Sequence, residues 1–233
     1  MIAFIDYRTT TTEKKSLLKL NINFIEIPKN PILYDAINGH VDIQLNIIDK
    51  KEKKIIIHKD IDNTFIQKLN DFNINYIKSM SSLSEKYPEN IILNAAILEN
   101  DVVHNFKYTD KNLIASVKDK NFINIKQGYS KCSILPIREK AIITNDKGIY
   151  DTLKKENYDI LLLPPGDILL PNLDYGFIGG VGGKISDDSL ALFGDLSYYK
   201  YGDEVKHFLN KYDIKPIYLR KGKLIDRGSL MCL

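Results

Sequence analysis

One pattern recurs along the whole sequence with a period of about 47 residues, and it restricts the fold more than any other feature. Each copy reads as a short apolar strand, a polar amphipathic helix, a second apolar strand and a turn feeding a third strand. Five copies span residues 1–52, 53–99, 100–138, 139–187 and 188–233. First strands are predicted at 2–6, 54–58, 101–104, 140–144 and 189–193, and helices at 12–19, 63–70, 109–117, 147–156 and 201–210. Second strands are predicted at 23–27, 74–77, 122–125, 158–163 and 215–219. The third segments, 36–45, 91–98, 127–135, 175–183 and 225–233, hold most of the unusual residues. Two of them place Gly128 before Cys132 and Gly228 before Cys232 at the same spacing, as expected of one pseudo-symmetric position in a ring.

The same alternation of strands and helices also suits a doubly wound α/β sheet. That fold wants a glycine-rich loop between a first strand and its helix, and none of the five junctions has one. Gly176, Gly179, Gly180, Gly182 and Gly183 lie instead in the fourth third segment, where tight turns or close backbone approach near a ring axis would use them.

Composition narrows the function classes. With 44% hydrophobic and 27% charged residues the chain reads as globular, and its apolar runs have strand length rather than membrane-span length. The N-terminus reaches Asp6 and Arg8 too soon for a secretory h-region, so the expected location is cytoplasmic. Thirty-three basic residues against thirty acidic ones, with only four arginines, argue against a nucleic-acid reader. Cys132 and Cys232 are too few for a disulfide scaffold, and no two histidines or cysteines stand at metal-ligand spacing. Neither a metal nor another cofactor is expected, and no sequence feature sets an oligomeric state.

Three local motifs remain. They are Gly39-His40-Val41-Asp42, Gly166-Asp167-Ile168-Leu169, and Gly228-Ser229-Leu230-Met231-Cys232 at the chain end. With the five modules, they resemble the pentein superfamily of guanidino-group-modifying enzymes: arginine and agmatine deiminases, dimethylargininases and amidinotransferases. The resemblance spans nearly the whole chain. It implies an α/β fold, a five-module α/β propeller (pentein) of pseudo-fivefold ββαβ repeats around a central channel. The first motif resembles the family's Gly-His-x-Asp, the second the latter half of its Glu-Gly-Gly-Asp-Val, and the third the approach to its nucleophilic cysteine.

The resemblance implies Cys232 as nucleophile and His40 as acid and base, acting on a small guanidino-type molecule. Asp42 and Asp167 would anchor the planar cation, because carboxylates hold a guanidinium bidentately. Asn172 and Asp174 stand where the family carries a His-x-Asp motif in the module before the cysteine, and they join the substrate-binding set. Pro164 replaces the family's motif acid. Asn94 is a further candidate for a ligand contact, while Cys132 reads as a small buried residue. The alternative is a non-catalytic pentein-fold protein that binds a ligand, protein or ribosome-associated partner through a degenerate site.

Overall fold

The computed structural model describes residues 1–233. In chain order, β1 (Ile2–Asp6), α1 (Thr11–Lys19) and β2 (Asn23–Ile27) precede the helical turn α2 (Val41–Gln44) and β3 (Leu45–Asp49). Next come β4 (Lys54–Ile57), α3 (Asn63–Asp71), β5 (Asn75–Lys78) and the two-residue β6 (Ala96–Ile97). The third module holds β7 (Asp101–His104), α4 (Lys111–Ser116), β8 (Asn121–Asn124), the turn α5 (Ser130–Ser133) and β9 (Ile134–Arg138). The fourth holds β10 (Ala141–Thr144), α6 (Lys147–Lys155), β11 (Asp159–Leu162), a 3₁₀ turn at Ile178–Val181 and β12 (Gly182–Lys184). The fifth holds β13 (Ser189–Leu192), α7 (Gly202–Lys211), β14 (Lys215–Tyr218) and β15 (Met231–Cys232).

These strands form five separate three-stranded sheets, which overturns the doubly wound alternative. In each sheet a first strand lies in the middle, parallel to the second strand that follows its helix. A parallel neighbour needs such a crossover, and the helix supplies it. The third strand comes from the preceding module and pairs antiparallel on the other side. The ring closes by the same rule, because β15 pairs with β1 through Ala3↔Cys232 and Phe4↔Met231. Residues far apart in sequence therefore meet at the axis.

Local chemistry explains the elements. The middle strands are runs such as Ile55, Ile56 and Ile57, buried on both faces, and each such side chain contributes about 1.5–3 kcal/mol by leaving water. The helices bury only one stripe, such as Phe65 and Leu69 on α3 or Ile149 and Leu153 on α6. Asp62, Asp110 and Asp146 cap α3, α4 and α6, and Thr10 with Glu13 forms a capping box on α1. No helix is long and apolar enough to cross a membrane.

The largest departure from the sequence expectation is in the third segments. Residues 41–45 alternate apolar and polar like a strand, yet Val41–Gln44 forms one helical turn and only then does β3 begin. The segment 127–135 does the same through α5, and 175–183 does so through its 3₁₀ turn. These turns carry the axial side chains.

Candidate functional site

The second residue of each of the three turns is Asp42, Lys131 or Gly179, and all three converge on one atom, the Ser229 hydroxyl oxygen. Ser229 Oγ lies 2.6 Å from Asp42 Oδ2 and 2.8 Å from the Gly179 carbonyl oxygen, both of which can accept its single proton. It accepts from Lys131 Nζ at 2.9 Å. Ser229 sits in the left-handed region at φ 73°, fully buried. Such a backbone is costly for a serine and is held only where surrounding contacts fix it.

Asn94 from the second module joins the cluster to Cys132. Its Nδ2 donates to Cys132 Sγ at 3.1 Å and to the Asp42 carbonyl at 2.8 Å. Its Oδ1 accepts from the backbone N–H of Lys131 at 3.0 Å and of Cys132 at 3.3 Å. Its side-chain amide thus bridges the turn that carries Asp42 and the turn that carries Cys132.

The fifth module adds Asp226, whose Oδ1 accepts from Gly228 N–H at 2.8 Å and whose Oδ2 accepts from Phe177 N–H at 2.9 Å. His40 Nε2 stands 3.9 Å from Asp226 Oδ1, and both side chains are buried. That is ion-pair range rather than a hydrogen bond. Neither His40 ring nitrogen has a hydrogen-bond partner, and neither does Asp42 Oδ1. Two glycines make the approach possible: a Cβ on Gly180 would overlap the Asp226 carboxylate, and one on Gly228 would overlap His40.

Burial and charge act together on these groups. Burial raises the Cys132 thiol well above its ordinary range, and the Asp42 and Asp226 charges push it further up, while the Asn94 hydrogen bond opposes them. Burial also raises Asp226, against the pull of His40, with Asp42 adding to the rise. Lys131 is held below the usual lysine range by burial, opposed by Asp42. The cluster therefore combines two buried carboxylates, an imidazole and a protonated thiol. A cation bound beside the carboxylates would offset their charges and favour the thiolate, against the larger effect of burial.

Cys132 belongs to a buried apolar cluster that includes Leu33, Ala36, Ile37 and Leu170, with Tyr34, Tyr129 and Phe177 against it. Arg8 ties down the neighbouring loop by donating from Nη1 to the Asp35 carbonyl at 2.7 Å and to the Ala36 carbonyl at 3.2 Å.

Of the residues singled out in sequence, His40, Asp42, Asn94 and Cys132 enter this cluster. Cys232, Asp167, Asn172 and Asp174 lie elsewhere. Cys232 is inside β15, packed with Ala3, Ile5 and Phe193, and burial pushes its thiol up to about 12. Its spacing match with Cys132 is not a positional match, since Cys132 lies on a turn before an inner strand and Cys232 lies within one. Asp167 is an outer-loop residue: its Oδ1 meets Lys223 Nζ at 2.6 Å and its Oδ2 accepts from Lys200 N–H at 2.8 Å. Asn172 and Asp174 are exposed on the loop before the 3₁₀ turn, and the fourth module sends Gly179 and Gly180 to the axis instead. Lys131, Asp226 and Ser229 were not assigned roles from sequence. The signal for Lys131 and Cys132 is their place in the third segment of the third module, the counterpart of the first-module segment that holds His40 and Asp42.

Residues 4–231 match the sequence profile of a family of unknown function, DUF6873. The chain belongs to that family. No curated protein matches it significantly. Among solved structures, SxtG, an amidinotransferase of saxitoxin biosynthesis from Microseira wollei, is similar over 93% of this chain and 87% of its own, with TM-score 0.58 and 10% identity. An agmatine deiminase from C. jejuni is similar over 94% of this chain and 74% of its own, with TM-score 0.52 and 15% identity. DDAH from Pseudomonas aeruginosa, a mutant complexed with citrulline, is similar over 94% and 91%, with TM-score 0.50 and 8% identity. The fold shared with these structures is the five-module pentein fold that the sequence pattern predicts.

Proposed function

We propose that the protein is a cysteine-dependent enzyme acting on a guanidino-type small molecule, with Cys132 rather than Cys232 as the nucleophile. One observation carries the reading: a thiol, an imidazole and two buried carboxylates share a single cluster at the ring axis. Neighbours of the same fold that are amidinotransferases and deiminases support the reaction class.

In this reading Asp42 and Asp226 hold the planar cation, whose charge lowers the thiol toward its reactive form. Cys132 Sγ attacks the central carbon, and His40 delivers a proton to the departing amine as the C–N bond breaks. His40 then takes a proton from water as its oxygen attacks the thiouronium carbon, and collapse expels the thiolate. Asp226 positions the imidazole. Asn94 supports the sulfur, and Ser229 with Lys131 fixes Asp42 Oδ2, leaving Oδ1 for the ligand.

A non-catalytic ligand-binding role is the second reading, favoured by the apolar cluster around Cys132 and its raised thiol. A panel of guanidino compounds, followed by amine release and by intact mass, separates the two. Turnover or a covalent adduct lost in Cys132→Ala and kept in Cys232→Ala supports the enzyme. Reversible binding with neither turnover nor adduct supports the second reading, and turnover that survives Cys132→Ala sinks the first.

A further inference from the structure

The inner strands begin at the axial cluster, and at their opposite ends they surround a cleft of about 770 Å³, a size suited to a small organic ligand. Its wall includes Cys232 and its apolar floor includes Ile137, Leu230 and Met231. The charged groups are the informative part. Lys50 follows the end of β3, Arg138 ends β9 and Lys184 ends β12, so the ring brings three cations from separate sheets to one opening. Lys131 also lines the cleft, and its Nζ reaches through to Ser229.

The other charges at this opening are mostly engaged. Lys140 meets Asp101 at 2.7 Å, and Lys120 donates to the carbonyls of Leu98 and Glu99. Asp49 accepts from the N–H groups of Lys51 and Glu52, and Glu139 accepts from Asn100. Asp49, Glu99, Glu139 and Asp187 keep their charge as opposing carboxylates, and Lys51 adds a further cation. Arg138 donates only to the Tyr212 carbonyl, at 3.3 and 3.2 Å, which leaves its positive charge without a carboxylate. Lys50 and Lys184 have no ion-pair partner at all. Burial and the Arg138 charge hold Lys184 below the usual lysine range, with Lys50 adding to this and Asp187 and Asp188 opposing it. Three cations brought together with no carboxylate at ion-pair distance, on a concave and partly apolar surface, are what an anionic ligand would relieve.

We propose that this cleft is a second binding site, meeting the Cys132 cluster only through Lys131, for a small phosphate-bearing molecule with an apolar portion. Phosphate suits several converging cations because it carries up to two charges and offers several acceptor oxygens, and Arg138 can meet it bidentately. The site does not depend on the chemistry proposed for Cys132.

The test is calorimetric titration of the intact protein with inorganic pyrophosphate at constant ionic strength. Saturable binding is expected, weakened at least tenfold by Lys50→Glu and by Lys184→Glu and unchanged by Lys68→Glu, which alters an exposed charge on α3. Pyrophosphate should also slow iodoacetamide labelling of Cys232 on the cleft wall. The proposal is overturned by the absence of saturable binding at millimolar pyrophosphate, or by binding that both charge reversals leave unchanged. Citrate binding as tightly as pyrophosphate would overturn the assignment to phosphate. Because Lys50 is exposed, its variant remains informative even where Lys184→Glu disturbs β12.

Discussion

Cys132 and Cys232 stand at the same spacing behind a glycine, both are buried, and both thiols are raised by burial, yet their surroundings differ in kind. Around Cys132 the backbone makes a helical turn, so one residue points Lys131 toward Ser229 and the next presents its sulfur to Asn94. Around Cys232 the backbone is already in the sheet, and the side chain alternates into an apolar cluster with Ala3 and Ile5. The lesson concerns what a local motif fixes. A spacing sets neither the backbone conformation nor the partners, and here the partners come from other modules.

That contrast can be broken most severely at the level of activity. Cys132→Ala is expected to lower turnover of a guanidino substrate by about 10³-fold or more, as loss of a covalent nucleophile does, while Cys232→Ala stays within a few-fold. Steady-state kinetics on both variants decides the matter.

Acid sharpens the comparison next, because it acts beneath one segment and not the other. Burial holds His104 and His58 at about 4, against an ordinary value of 6.5. His104 Nε2 lies 2.9 Å from the Gly128 carbonyl, at the start of the Cys132 segment, and its Nδ1 lies 2.6 Å from Thr109 Oγ1. Both rings are neutral in the fold. Above pH 6.5 they are neutral in the unfolded chain as well and carry no penalty. As pH falls from 6.5 to about 4, the unfolded chain binds protons that the fold refuses, so stability drops by about 3 kcal/mol per histidine and then levels off. Urea unfolding across this range should show that loss, with amide protection falling at 128–133 more than at 228–232.

Serine substitutions test the two environments by stability alone. Cys232→Ser places a hydroxyl among apolar side chains and should cost about 1–3 kcal/mol. Cys132→Ser keeps a donor and an acceptor beside Asn94 and Asp42 and should cost less than about 1 kcal/mol. Chemical unfolding of both variants gives the difference directly.

The smallest expected effect is electrostatic. Asp226→Asn removes one of the charges that push the Cys132 thiol up, so its alkylation by neutral iodoacetamide at pH 8.5 should quicken by up to about tenfold, or about 1.4 kcal/mol. The Cys232 rate should not move.

How far the sequence reaches follows from the same contrast. The strands Ile2–Asp6, Asn23–Ile27 and Asp101–His104 fall at the residues expected, because each is a short run of strand-forming residues between turn formers. The four-residue turn Val41–Gln44 leaves no periodic trace, and its alternation of Val41, Asp42, Ile43 and Gln44 matches a strand equally well. His40 and Asp42 were legible because they stand in one contiguous motif. Ser229 was not, since its partner Asp42 lies 187 residues away and is reached only through ring closure. Asp226 belongs to none of the three sequence motifs, and only the close approach of Gly180 and His40 distinguishes it.

The most direct test of the central claim is peptide mapping after brief exposure to a chloroacetamidine, whose amidinium mimics a guanidinium and whose carbon alkylates a nearby thiolate. The account predicts saturable labelling of Cys132, slowed by arginine-like competitors and lost in Asp42→Ala, with Cys232 unlabelled on the same timescale. Labelling of Cys232 first, or of both thiols at equal rates that competitors leave unchanged, would contradict it.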